Sequence, residues 1–145
     1  MKKNKLVFLK PQKKSHIGQW LMEEGISAGF PSPADDFKEV RISLDRELVK
    51  NKESTFYARV SGDSMIDAGL SDGDLIVIDR SLKSENNKIA VCFIDGDFTV
   101  KRIALRKKKL FLVAENKKYK EIEISEENHF MIWGIVTYVI KKVYN

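Results

Sequence analysis

Ser64 and Lys101 are the residues of this sequence whose types and settings could break a covalent bond. Ser64 lies in the string Ser61-Gly62-Asp63-Ser64-Met65, and Lys101 lies in the segment Phe98-Thr99-Val100-Lys101-Arg102-Ile103. A glycine two positions before a serine permits a tight turn, in which successive backbone N–H groups can converge beside the hydroxyl and hold an oxyanion. On a strand, Thr99, Lys101 and Ile103 share one face. If that face is the inner one, burial disfavours the ammonium and lowers its pKa from about 10.4. A neutral amine can then take the serine proton and release an alkoxide to attack a carbonyl carbon. A third element sits upstream at Ala28-Gly29, a bond between two small residues in a stretch predicted to be flexible.

Each feature also has a plainer reading. Asp63 or Ser64 could cap a helical turn over Met65–Gly69. Lys101 could be a surface lysine that lays its stem along the sheet beside Arg102. Asp67, Asp72, Asp74 and Asp79 do not follow the spacing of a calcium loop, and turns around Gly69 and Gly73 explain them better. His16 and His129 sit in no ligand-spaced cluster, so with a single cysteine neither a zinc site nor a Ser-His-Asp triad is expected. That cysteine, Cys92, lies in the run Ile89-Ala90-Val91-Cys92-Phe93-Ile94 and reads as a buried small hydrophobe rather than a reactive thiol. Neither a metal nor an organic cofactor is expected.

The chain has 145 residues, 43% hydrophobic and 32% charged, which suits one globular domain with a real core. No apolar run approaches the roughly 20 residues of a membrane span. Leu6-Val7-Phe8-Leu9 is too short for a signal-peptide core, so a cytoplasmic location is expected. Net charge is +5, of which residues 1–30 carry +4 and residues 31–145 only +1. The basicity therefore belongs to the N-terminal segment. Arg106-Lys107-Lys108-Lys109 stands where a hairpin turn is expected, and it reads as a solvated turn before a phosphate site.

The elements that must position these residues follow from local pattern. Residues 1–40 read as an arm with a short strand at Leu6–Leu9 and a short helix from Ser15 to Glu24, where Ile17, Trp20 and Leu21 have helical spacing. Gly25, Gly29, Pro31 and Pro33 then break regular structure. Residues 41–145 read as a body that opens with a short helix at Leu44–Lys50 and continues as strands. These are Phe56–Val60, Asp74–Asp79, Lys88–Ile94, Phe98–Leu105, Leu110–Ala114, Glu121–Ile124 and Met131–Val143. Asp95-Gly96-Asp97 should be a hairpin turn, and Gly134 should mark a bulge in the long last strand. The expected fold is mainly β, a single curled sheet with a flexible N-terminal arm.

Three ordered strings, SGDSM, SDGDLIVID and DGDFTVKRI, resemble the LexA-like self-cleaving serine peptidases. AGFPSPADDF, residues 28–37, resembles the cleavage region of the UmuD-type accessory proteins of error-prone bacterial DNA polymerases, and the similarity runs from about Phe8 to Val143. The resemblance implies a body of the LexA C-terminal, β-clip type. It implies a nucleophile at Ser64, a general base at Lys101, an oxyanion hole from the backbone N–H groups of Asp63 and Ser64, and scission between Ala28 and Gly29. Implied partners are a second copy of the chain, an activated RecA filament on single-stranded DNA, and the catalytic subunit of a UmuC-like Y-family polymerase in the SOS response. The best-known UmuD-type proteins have cysteine before the scissile bond. Ala28-Gly29 follows the LexA pattern and keeps the small side chain that lets a strand lie close to Ser64. Only 28 residues precede Gly29, too few for a helix-turn-helix domain, so sequence-specific DNA binding is not expected. The competing readings are a non-enzymatic dimeric interaction module, a LexA-like repressor fragment, and a nucleic-acid binder that uses the lysine-rich arm.

Overall fold

A computed structural model of the chain describes residues 7–11, 19–22 and 39–144. The chain divides into two compact units, one formed by Met1–Pro11 with Asn51–Asn145 and the other by Gln12–Lys50.

The first unit is one eight-stranded sheet in which every pairing is antiparallel. Its strands are β1 (Val7–Leu9), β4 (Thr55–Arg59), β5 (Leu75–Asp79), β6 (Ile89–Ile94), β7 (Asp97–Arg106), β8 (Lys109–Val113), β9 (Ile122–Ile124) and β10 (Phe130–Ile140), in the spatial order β1-β4-β5-β10-β6-β7-β8-β9. The expected mainly-β class is borne out, and each strand expected after residue 55 is present within three residues at either end. Asp95 and Gly96 both have positive φ, 47° and 92°, as a two-residue turn between β6 and β7 requires. Lys107 and Lys108 turn β7 into β8 with φ of 50° and 65°, without a glycine. The expected bulge at Gly134 is also present, as a register shift between Ile132 and Gly134 against β6. A Cβ on Gly134 would stand 2.5 Å from Ile78 Cγ2, so close packing onto β5 requires the glycine.

Both faces of the sheet centre are covered. Val91 belongs to a cluster with Ala58, Met65, Ile76, Ile78 and Val100, while its neighbours Ala90 and Cys92 belong to a second cluster with Ile103, Leu112 and Ile135. Successive strand residues point to opposite faces, so this split means apolar packing on each side. It explains why β5 and β6 are nearly unbroken apolar runs.

In the second unit, β2 (Gln19–Met22) pairs antiparallel with β3 (Glu39–Ile42), Trp20 opposite Arg41, and α1 spans Leu44–Leu48. The helix expected over Ser15–Glu24 is therefore corrected: residues 19–22 are extended. Three apolar residues inside two turns are an ambiguous signal, Gly18 weakens any helix there, and pairing with β3 decides the outcome. The expected N-cap Ser15 lies outside the described residues. The arm–body boundary expected after residue 40 falls within β3. Among the described residues, no helix is long and apolar enough to cross a membrane.

Candidate active site

After β4 the chain turns sharply. Gly62 takes a φ of +93°, open to glycine at little cost, and its N–H donates to Asp72 Oδ1 at 2.8 Å. Met65 follows, 2% exposed in the first core cluster, and anchors the turn from the other side. A 3-10 turn over Ile66–Ala68 ends at Gly69, whose φ is +84°. Ser64 is thus held between a strained-for-others glycine turn and a buried methionine. The turn after it is the one the capping reading expects, but the side chains of Asp63 and Ser64 are engaged elsewhere.

Ser64 and Lys101 come together. Ser64 is 8% exposed and Lys101 is 7% exposed, and the Lys101 Nζ lies 3.3 Å from Ser64 Oγ. The surface-lysine reading of residue 101 is thereby excluded. Nζ has two further partners, Thr99 Oγ1 at 2.6 Å and the Val100 carbonyl at 3.2 Å. Nζ donates to all three oxygens, and loss of one proton would leave a lone pair free to face the Ser64 hydroxyl. Burial pushes the Lys101 pKa below its ordinary 10.5, against a smaller opposing pull from Cys92. Cys92 itself is driven up to about 12 by burial, so it stays an uncharged thiol. It occupies the position across from Thr99 on β6, which makes it part of the dry wall beside the amine.

The loop after β8 grips the serine turn from outside. Asn116 Nδ2 donates to the Asp63 carbonyl at 2.8 Å, and Ile66 N–H donates to the same oxygen at 3.2 Å. In a trans peptide the C=O and the following N–H point in opposite directions. Fixing the Asp63 carbonyl therefore fixes the direction of the Ser64 N–H, away from Asn116. Tyr119 donates its hydroxyl to Asp63 Oδ1 at 2.6 Å. That bond lowers the Asp63 pKa and raises that of Tyr119, and Lys118 at 3.7 Å adds to the first effect. The Asp63 N–H also faces its own carboxylate. Glu115 completes the clasp, donating its N–H to Met65 Sδ at 3.4 Å and accepting from Asp67 N–H at 2.8 Å.

The result is a groove lined by Val60, Ser61, Gly62, Ser64, Met65, Phe98, Thr99 and Val100. Ser64 faces the groove, while Lys101 is not in its lining. An extended peptide in the groove would meet the hydroxyl with the amine behind it. Ala28 and Gly29 lie outside the described residues. Thr99 could have been found from its place two residues before Lys101 on one strand face. Asn116 and Tyr119 could not, because they reach Asp63 across 53 and 56 residues with no motif to mark them.

Comparison with known proteins places the chain in a family. Residues 20–137 match the Peptidase S24-like family. Protein MucA of Salmonella typhimurium is 41% identical over 114 residues, covering 78% of this chain and 77% of MucA. Protein ImpA of Shigella flexneri is 37% identical over 123 residues, covering 84% and 83%. A LexA repressor of Shewanella piezotolerans is 34% identical over 117 residues, or 80% of this chain and 56% of the repressor. The family match takes in more than half of the sequence, including both Ser64 and Lys101, so this chain belongs to the Peptidase S24-like family.

Proposed function

We propose that the chain is a self-cleaving accessory subunit of an error-prone translesion DNA polymerase, acting in the cytoplasm during the SOS response. The observation that carries the reading is the buried 3.3 Å approach of the Lys101 amine to the Ser64 hydroxyl. The scissile bond joins Ala28 to Gly29. Lys101, neutral and short of water, accepts the Ser64 proton as Oγ bonds to the Ala28 carbonyl carbon. The Ser64 N–H holds the resulting oxyanion, joined by the Asp63 N–H once it turns from its own carboxylate. When the carbon–nitrogen bond breaks, the Lys101 ammonium returns a proton to the Gly29 amine. Water then cleaves the Ala28 ester on Ser64 with Lys101 again as base, leaving residues 1–28 with a new carboxylate and residues 29–145 with a new amine. Intramolecular delivery of the bond supplies a large effective concentration.

In this reading an activated RecA filament favours the conformation in which the bond enters the groove. The trimmed product dimerises and joins a UmuC-like catalytic subunit. Intact-mass measurement of the purified chain, with and without RecA filaments on single-stranded DNA, tests the proposal. A product starting at Gly29, absent from Ser64→Ala, is expected. An uncut chain under both conditions refutes self-cleavage and leaves the non-enzymatic interaction module.

A further inference from the structure

β1 is an edge strand three residues long, yet it fills a built seat. Phe8 stands opposite Ala58 of β4, whose small side chain leaves space above the sheet for a ring. The Phe8 ring packs 5.0 Å from Phe98, edge-on, and 4.5 Å from Trp133. Phe56 closes the trough against Trp133 at 4.9 Å, and the Arg80 guanidinium lies over the Trp133 ring at 4.4 Å. Two residues after Phe8, the Lys10 ammonium sits 4.0 Å over the Phe56 ring and donates to the Glu53 carbonyl at 3.0 Å. Leu9 points outward and is 47% exposed. The seat therefore reads three things: a strand edge, an aromatic side chain, and a cation two positions later.

This strand lies on the N-terminal side of Ala28-Gly29, whereas everything that forms its seat lies on the C-terminal side. We propose that the β4 edge and the Phe56, Phe98 and Trp133 trough are a docking site for an extended segment of a partner protein that carries an aromatic residue followed two positions on by a basic one. In the uncut chain Val7–Lys10 occupies that site. The proposal rests on the self-cleavage reading for what empties it. While the chain is whole, β1 is tethered at an effective concentration of about millimolar order. Scission turns the contact into a bimolecular one, and at micromolar protein the concentration that β1 presents falls about a thousandfold. The uncovered edge then offers unpaired backbone groups of β4 beside an open aromatic trough, the arrangement that accepts a strand by β-augmentation. Occupancy by the chain's own segment keeps the site closed until cutting.

The test uses the full chain carrying Ser64→Ala, Trp20→Phe and a foreign protease site between Gly25 and Pro31, so that cutting does not depend on Ser64 or Lys101. Trp133 is then the single tryptophan. After cutting, the N-terminal fragment should separate on gel filtration at micromolar protein, with a red shift of Trp133 emission. A peptide of residues 4–11 should reverse the shift in the cut protein, produce none in the uncut chain, and bind at least about tenfold less well when Phe8 is replaced by alanine. A fragment that stays bound through gel filtration, an unchanged Trp133 spectrum, or equal responses to the two peptides overturns the docking site. Loss of peptide binding as the cut bodies pair with rising concentration assigns the edge to a second copy and overturns a partner strand. Failure of the wild-type chain to cut itself would remove the proposed trigger and leave these outcomes unaffected.

Discussion

Replacing Lys101 by methionine in a Ser64→Ala chain should change stability in a pH-dependent way, with the variant faring best against its Lys101 parent at neutral pH and worst at high pH. The background keeps the chain uncut at alkaline pH and leaves intact the burial that is the first cause of the lysine's shift. A lysine whose folded pKa lies below its ordinary 10.5 destabilises the fold at every pH below the folded value, because the unfolded chain binds the proton more readily. The penalty is about 1.4 kcal/mol for each unit of depression. It shrinks as pH rises through the folded pKa and is gone above 10.5. Methionine has nearly the same length and no charge, so it carries no such dependence. Opposing this, the Val100 carbonyl and Thr99 hydroxyl each lose a partner, a pH-independent cost of about 1 kcal/mol apiece. The variant's stability relative to its Lys101 parent should therefore be constant below the folded pKa and fall from there up to 10.5, whatever its absolute size. Urea unfolding at a series of pH values measures the difference, and other titrating groups cancel between the two proteins. A difference that stays constant across that range would falsify the desolvation of Lys101.

Three further outcomes follow from the geometry. Asn116→Ala should slow self-cleavage about ten- to a hundredfold by freeing the Asp63–Ser64 peptide, with the midpoint of the pH–rate curve unmoved because Lys101 keeps its surroundings; a shifted midpoint at unchanged maximal rate would contradict an orienting role. Asp79 feels burial as an upward push, which bonds from Ser81, Ser54 and Asn51 outweigh, so its folded pKa lies below 3.8. Its stability contribution is present above 3.8 and lost as pH falls through the folded value, so Asp79→Asn should cost about 1–3 kcal/mol at neutral pH in urea unfolding and flatten that acid limb. Gly134→Ala should destabilise by about 1–3 kcal/mol, since its methyl would meet Ile78 at 2.5 Å; an unchanged unfolding midpoint would show that β5 yields easily.

What could be read from residues alone, and what could not, divides along sequence distance. The strands of the sheet announce themselves because both faces are buried, which leaves apolar runs such as Leu75–Ile78 bounded by aspartates and glycines. Asp95-Gly96 carries its own turn chemistry. Residues 19–22 mislead because a four-residue strand holds too few positions to separate period 2 from period 3.6, and its partner lies about 20 residues away. The serine turn and the lysine strand were legible as chemistry, each with a local pattern. Their approach was not, since 37 residues and a sheet crossover separate them. The Asn116 and Tyr119 clasp and the Phe8 seat are side-chain contacts across more than 40 residues, which no local spacing records. Lys107-Lys108 shows the converse: a turn with two positive φ values and no glycine, readable only from the strands that flank it.

Measuring the rate of appearance of the Gly29-starting product as a function of pH, beside the titration of isotope-labelled Lys101 followed by NMR in the Ser64→Ala chain, bears most directly on proton transfer between the two side chains. The rate should rise towards alkaline pH and level off along the same curve as the amine loses its proton, and Lys101→Ala should give no product. A rate independent of pH while Lys101 titrates, or product from Lys101→Ala, would contradict a lysine base.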